Sequence, residues 1–244
     1  MSKIHITMQG KGGVGKSFVS AITAQYKYHK QGSQGAPLCI DTDPINATFY
    51  GFKALNVERL NIMESEEINP RLFDGLIEKI SNTESDVIID NGASSFVPLS
   101  HYLISNDIPE LLKEMGHDLI IHTVITGGQA FSDTVHGFSQ LANQFPEDVK
   151  FVVWLNPYWG KIESDGKTFE QMKVYKDNKD RIIALLSIPE LKEATFGFDL
   201  SQMLQKKDTF ESAINSPENS IMTRQRLKMI REELYNQLDQ AMVI

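Results

Sequence analysis

A short glycine-rich stretch restricts the fold of this chain more than any other part of its sequence. Residues 10–17 read GKGGVGKS, which satisfies the spacing G-x-x-x-x-G-K-[ST]. The apolar run Ile4–Met8 precedes the stretch, and the helical pattern Ser17–Lys30 follows it. A strand, a glycine loop and a helix in this order form a phosphate site, because the loop N–H groups and the helix N-terminus all favour an anion. An ordinary glycine-rich turn is the alternative, but it does not require this flanking pattern.

Each residue type in this loop has a chemical role. The glycines let the backbone wrap around a phosphate. Lys16 supplies a positive charge for the β- and γ-phosphates of a nucleotide, and the Ser17 hydroxyl is a ligand for Mg²⁺. The nucleotide-binding residues predicted in this part of the chain are Gly10, Lys11, Gly12, Gly13, Val14, Gly15, Lys16, Ser17 and Phe18.

Six short apolar runs predict a parallel sheet that is covered on both faces. The runs are nearly continuous rather than alternating, which is typical of strands buried on both sides, and helical patterns separate several of them. These runs are Ile4–Met8, Leu38–Ile40, Val87–Ile89, Leu119–Ile125, Phe151–Leu155 and Ile182–Leu186. The predicted crossover helices are Ser17–Lys30, Gln129–Gln144 and Phe169–Asn178. We predict one doubly wound α/β domain over residues 1–244, with a mainly parallel sheet, helices on both faces and a C-terminal helix at about 219–242.

Composition excludes several classes of protein. The chain has 244 residues, 41% of them hydrophobic, and a net charge of −8, which disfavours coating of DNA or attraction to anionic lipid by bulk charge. Its one cysteine, Cys39, excludes an intrachain disulfide or a four-thiolate metal site. No apolar run approaches the ~20 residues that span a bilayer, and the N-terminus lacks the apolar core of a signal peptide. We expect a cytoplasmic protein and no membrane anchor.

The charge is unevenly distributed along the chain. Residues 56–90 carry nine acidic and three basic residues, whereas residues 221–231 carry four basic residues and none that are acidic. The four are Arg224, Arg226, Lys228 and Arg231. The same segment has an apolar stripe at helical spacing, formed by Leu227, Ile230, Leu234, Leu238 and Met242. A helix docked on the domain is the favoured interpretation; a weak DNA contact in a dimer and a membrane-surface helix stay open.

Carboxylates follow two of the predicted strands. Asp41 and Asp43 come after the second run, and Asp90 ends the third. Ligands of open α/β sheets bind at the carboxyl ends of the strands, so we expect these side chains beside a ligand, and Asp90 can hold Mg²⁺ through water. On the residues alone, an Asx turn explains the first pair as well.

These motifs together resemble the ParA/MinD superfamily of P-loop ATPases. Residues 11–17, KGGVGKS, are similar to its deviant Walker A motif, and residues 41–46, DTDPIN, are similar to its first switch region. The resemblance implies that Lys11 reaches across an ATP-bound homodimer to the partner's phosphates, although without it Lys11 would be taken for a solvated lysine. It also implies that Asp43 positions the attacking water.

The resemblance assigns further roles. With Ser17 and Asp90, Asp41 belongs to the surroundings of Mg²⁺, and Lys11, Lys16 and Asp43 are the catalytic candidates. Asn156 corresponds to a residue that reads the adenine base, and Pro189 lies in a loop that lines the base pocket. Without the resemblance, Asn156 is equally a turn residue before a proline.

One part of the chain departs from the superfamily pattern, and three other parts resemble one group within the superfamily. The second switch region usually carries prolines directly after its aspartate, whereas this chain has none between Asp90 and Pro98. Three stretches, residues 90–96, 122–128 and 153–157, are similar to the TraL-type conjugal-transfer ATPases of plasmids. Residues 126–129 within this pattern could equally be a simple turn. The single cysteine excludes the branches that bridge an iron–sulfur cluster.

The function implied by the resemblance is an ATPase that depends on Mg²⁺. It would dimerise around two ATP molecules, turn over slowly, and use hydrolysis to time the binding of a conjugation or partition partner. Its role would be in plasmid conjugal transfer or in the positioning of DNA or another cargo. Two alternatives stay open: an ATP-dependent ligase or small-molecule kinase on the same scaffold, and a nucleotide-binding adaptor with negligible hydrolysis.

Overall fold

The computed structural model describes residues 2–32 and 35–241. Within them, a parallel sheet of seven strands has the order β11-β8-β7-β1-β6-β2-β3. Its strands in chain order are β1 (Ser2–Thr7), β2 (Leu38–Asp41), β3 (Glu58–Arg59), β6 (Val87–Asp90), β7 (His117–Thr126), β8 (Lys150–Asn156) and β11 (Ile182–Ser187). Two hairpins outside this sheet contain β4 (Met63–Glu64) with β5 (Glu67–Ile68), and β9 (Glu163–Ser164) with β10 (Lys167–Thr168).

Helices cover both faces of the sheet. Their bounds are α1 (Lys16–Gln31), α2 (Asp74–Ser81), α3 (Phe96–Ser105), α4 (Ile108–Glu114), α5 (Phe131–Gln144), α6 (Lys173–Asp177), α7 (Phe198–Gln205), α8 (Phe210–Asn215) and α9 (Ile221–Ala241). On one face, Phe138 of α5 packs in the same core as Ile4 and Ile6 of β1. On the other, Val19 of α1 and Leu234 of α9 pack around Trp154 of β8. The predicted doubly wound α/β fold is therefore confirmed.

The six apolar runs form the six predicted strands, and the shifts at their ends are small. The predicted helix Phe169–Asn178 is wrong as one element: a 3-10 turn over Phe169–Gln171 and the short helix α6 replace it. Met172, between them, has extended backbone (φ −78°, ψ 153°), because Phe169 is drawn into the core while the chain continues along the surface. The C-terminal helix matches its prediction up to Ala241, and residue 242 lies outside the described residues.

The strand order determines where a ligand can bind. β1 lies between β6 and β7, and the chain crosses from one side of β1 to the other after β6. This reversal opens a crevice at the carboxyl ends of the strands. The glycine loop leaves β1 at that edge, and the loops after β2, β6 and β8 leave the sheet at the same edge.

Candidate functional site

The glycine loop connects β1 to α1 in a backbone conformation that only glycine adopts easily. Gly13 and Gly15 have φ angles of 73° and 104°, in the left-handed region where a Cβ is strained. Gly15 directly precedes the first turn of α1. Gly10 packs on the ring of Phe96, where a Cβ would lie 3.1 Å from a ring carbon. The loop therefore presents the α1 N-terminus to the crevice, as a phosphate site requires.

Lys16 is held against the loop rather than extended into solvent. Its side chain is mostly buried, and its Nζ donates to the carbonyl oxygen of Lys11 over 2.9 Å. Burial lowers the pKa of Lys16, while the negative charges of Asp90 and Asp43 act in the opposite direction. The ammonium group is thus fixed beside the loop N–H groups and faces two carboxylates.

Asp41 and Asp90 lie side by side on neighbouring strands, and both are buried. Burial, and next the charge of Asp41, raises the pKa of Asp90 to about 7, although hydrogen bonds from Ser17 and Ser20 favour its charged form. The Ser20 hydroxyl donates to Asp90 over 2.9 Å. Two crowded carboxylates beside a serine hydroxyl give an all-oxygen donor set, which fits Mg²⁺. The ion would be held by Asp90 and Ser17, with Asp41 next to Asp90 on the neighbouring strand.

Asp41 also shapes the loop that follows it. Its Oδ1 accepts from the backbone N–H of Asp43 (2.9 Å) and its Oδ2 from that of Tyr50 (2.8 Å). These bonds stabilise the carboxylate, but burial still raises its pKa. Asp41 therefore both contributes charge near Asp90 and fixes the direction of the loop after β2.

Asp43 forms an Asx turn and contacts the loop after β6. Its Oδ1 accepts from the backbone N–H groups of Ile45 (2.9 Å) and Asn46 (3.1 Å). A Cβ added to Gly92 would lie 2.5 Å from the carboxylate carbon of Asp43. The loop after β2 and the loop after β6 therefore meet at this point, and a side chain at position 92 would displace the Asp43 carboxylate.

Asn91 connects the same two loops from within the protein. It is fully buried, and its Oδ1 accepts from the hydroxyls of Thr42 (3.2 Å) and Ser95 (2.7 Å). Its Nδ2 has no hydrogen-bond partner among the residues that the structure describes. The loop after β6, which has no proline before Pro98, is therefore held by side-chain hydrogen bonds.

Lys11, the other lysine of the loop, is paired with a residue of a distant helix. Its Nζ forms an ion pair with Asp133 of α5 at 2.8 Å, and both side chains are about half exposed. The structure therefore separates the two lysines of the loop: Lys16 is buried at the site, and Lys11 lies at its outer edge.

The residues predicted to contact the base lie beyond the loop, at the ends of β8 and β11. Asn156 is mostly buried; its Nδ2 donates to the carbonyl of Val14 (2.9 Å), and its Oδ1 accepts from Tyr158 N–H (3.1 Å). These bonds attach the end of β8 to the glycine loop. Pro189 follows Ile188, whose N–H donates to Leu155 of β8 over 2.8 Å. Phe18, in the first turn of α1, is partly buried and packs against the core that contains Trp154.

The sequence did not indicate a role for Gln9, which connects the loop to β7 and α5. This fully buried side chain donates from Nε2 to the carbonyls of Val124 and Thr134, each over 3.0 Å, and its Oε1 accepts from the N–H of Gly10 (2.9 Å). Gly137 of α5 leaves the space that Gln9 occupies. Only the position of Gln9 directly before the loop could have indicated such a role.

Comparison with known proteins places the chain in a family. No family model matches it. Two proteins of Escherichia coli described as Protein TraL are 63% and 61% identical to it over 244 residues, which is 100% of this chain and of each relative. The chain belongs to the TraL family. The resemblance to TraL-type proteins is thereby confirmed.

Among solved structures, two plasmid partition proteins of Borrelia burgdorferi are similar to this TraL family member. The first, bound to AMPPNP, has a TM-score of 0.49 and 16% identity, and the similarity covers 94% of this chain and 98% of that one. The second has a TM-score of 0.48 and 16% identity and covers 84% and 96%.

In this TraL family member, the basic residues of α9 are largely paired with carboxylates. Arg226 pairs with the buried Asp199, and Arg231 pairs with Glu211 at 3.1 Å. Lys228 lies 3.8 Å from Glu232, one helical turn later. The apolar stripe of α9, as far as Leu238, is buried in the core, so α9 is a docked helix. Within the described residues, every helix is too short or too polar to cross a membrane.

Proposed function

We propose that this chain is an ATP-binding and ATP-hydrolysing protein that requires Mg²⁺ and acts as a nucleotide-switched dimer in plasmid conjugal transfer. The observation that carries the proposal is the convergence at one sheet edge of the glycine loop, the buried Lys16 and the Ser17–Asp90 pair. Loop N–H groups and Lys16 would hold the β- and γ-phosphates.

The two crowded carboxylates support a role for a divalent cation. Without an ion, Asp41 and Asp90 repel each other in a buried setting, which is unfavourable. An ion held by Ser17 and Asp90 would relieve that repulsion and neutralise charge on the phosphates.

Asp43 is the proposed residue for hydrolysis. Its Oδ1 is occupied by the Asx turn, and no hydrogen bond to its Oδ2 is recorded among the described residues. It faces Lys16 and touches the second switch at Gly92, so a water between the phosphate and Asp43 would be oriented by both switch loops.

Lys11 is the proposed contact to a partner subunit. Its ion pair with Asp133 is half exposed, and such surface pairs contribute at most about 1 kcal/mol. Lys11 could therefore leave Asp133 for the phosphates of a second subunit at a small cost in free energy. A contact of Arg226 or Arg231 with DNA would require the pairs with Asp199 and Glu211 to open, so we propose DNA contact through Arg224 and its basic neighbours only as a weak, secondary property.

The test combines turnover with light scattering. Wild-type protein with ATP and Mg²⁺ should form dimers and release phosphate slowly, whereas Asp43→Ala should dimerise but hydrolyse at least tenfold more slowly. Asp43→Asn is the matched variant, because its amide oxygen keeps the Asx turn. Equal turnover in all three proteins would contradict the role of Asp43, and negligible wild-type turnover with dimers present would favour the adaptor.

A further inference from the structure

Two adjacent aromatic side chains are exposed at the mouth of the site. Tyr158 and Trp159 follow β8, with exposed fractions of 78% and 57%. Their rings meet edge to face, with centroids 4.9 Å apart. Large exposed aromatic rings beside a ligand site are costly in water and are typical of surfaces that stack on a ligand.

Trp159 is attached to the phosphate loop, whereas no bond from the Tyr158 side chain to that loop is recorded in the described structure. The Trp159 indole Nε1 donates to the carbonyl of Gly13 over 3.4 Å. Asn156, three residues earlier, donates to Val14. Two consecutive carbonyls of the glycine loop therefore bind the segment that carries Trp159, which places this segment beside the loop.

The turn after β7 holds this segment from the other side. A Cβ on Gly127 would lie 2.0 Å from the Gly160 carbonyl oxygen, and one on Gly128 would lie 2.3 Å from that of Trp159. The two loops are in backbone-to-backbone contact that only glycines permit. This contact gives residues 127 and 128 a role beyond that of a simple turn.

We propose that the indole ring of Trp159 stacks on the base of the bound nucleotide. The inference rests on the proposed nucleotide binding at the glycine loop and adds to it a residue that contacts the base. The indole edge binds the loop, so a ring face remains available to a planar group extending from the phosphates. Stacking of a base on an aromatic ring contributes about 1–3 kcal/mol, or roughly a five- to hundredfold change in affinity.

The experiment compares ATP with inorganic tripolyphosphate, which has the phosphate chain but no base. Calorimetry with Mg²⁺ is performed on wild type, Trp159→Ala, Trp159→Phe and the neighbouring control Tyr158→Ala. We expect Trp159→Ala to lose five- to hundredfold in ATP affinity while its tripolyphosphate affinity is unchanged. Trp159→Phe, which keeps a ring, should retain most ATP affinity, and Tyr158→Ala should resemble wild type.

The other outcomes overturn the proposal in distinguishable ways. Equal losses for ATP and tripolyphosphate would show that Trp159 supports the loop and does not contact the base. Unchanged ATP affinity in Trp159→Ala would show that the ring does not contact the base. Wild-type protein that binds neither ligand would contradict the phosphate site itself.

Discussion

Replacing Gly137 by alanine should improve the helix propensity of α5 but create a steric clash with Gln9, which supports the phosphate loop. Alanine in a helix interior is favoured over glycine by about 1 kcal/mol. At this position its Cβ would lie 2.0 Å from Gln9 Oε1 and 2.9 Å from Gln9 Cδ. Overpacking costs about 1–3 kcal/mol, and each buried polar group of Gln9 left unpaired costs about 1–3 kcal/mol. We expect a net destabilisation of about 1–5 kcal/mol and weaker ATP binding, because Gly10 N–H loses its acceptor.

The assay is urea unfolding with a matched glycine as control. Gly75 of α2 would bring its Cβ to 3.3 Å from the Leu60 Cδ1, the end of a flexible side chain, so Gly75→Ala should be neutral or slightly stabilising. In a Gln9→Ala background the clash disappears, and the penalty of Gly137→Ala should fall by more than about 1 kcal/mol. A Gly137→Ala variant as stable as wild type would refute the packing argument.

Three further predictions concern buried charge and the dimer. Asp90→Asn should raise the melting temperature of the nucleotide-free protein at pH 8, because it removes a buried charge beside Asp41. In this variant, Mg²⁺ should no longer increase the melting temperature beyond the increase caused by ATP alone. An unchanged effect of Mg²⁺ on the melting temperature would count against the metal site. Lys11→Ala should weaken ATP-dependent dimerisation in light scattering, whereas Asp133→Asn should not, and an undisturbed Lys11→Ala dimer would exclude a contact in trans. Burial lowers the pKa of His122 to about 3. As the pH falls below about 6.5, the unfolded chain binds a proton at His122 and the folded chain does not, so the free energy of unfolding decreases. The stability difference between wild type and His122→Phe should therefore narrow by about 2 kcal/mol from pH 7.5 to pH 5, and a constant difference would contradict the buried neutral state.

The strands and the glycine loop could be predicted because their signals are local. Each strand is a short run of apolar residues, and the loop is defined by glycines at fixed spacing beside Lys16. The carboxylates at positions 41 and 90 were found for the same reason, since each ends an apolar run. Parallel pairing then brings them together at one edge, as the structure shows.

The supporting contacts could not be predicted, because they join residues far apart in the sequence. Gln9 binds Thr134, and Trp159 binds Gly13 across 146 positions. A glutamine or tryptophan carries no spacing pattern that distinguishes it from an ordinary core or surface residue. The ion pair of Lys11 with Asp133 is of the same kind, and it depends on where α5 begins.

Calorimetric titration of ATP with Mg²⁺ tests the central claim, the phosphate site, most directly. The comparison is wild type, Lys16→Ala and Lys30→Ala, the last being the same substitution at the other end of α1. Wild type and Lys30→Ala should bind ATP with equal affinity, and Lys16→Ala should show no measurable binding, because the buried ammonium beside the loop is lost. Unchanged affinity in Lys16→Ala would contradict the account.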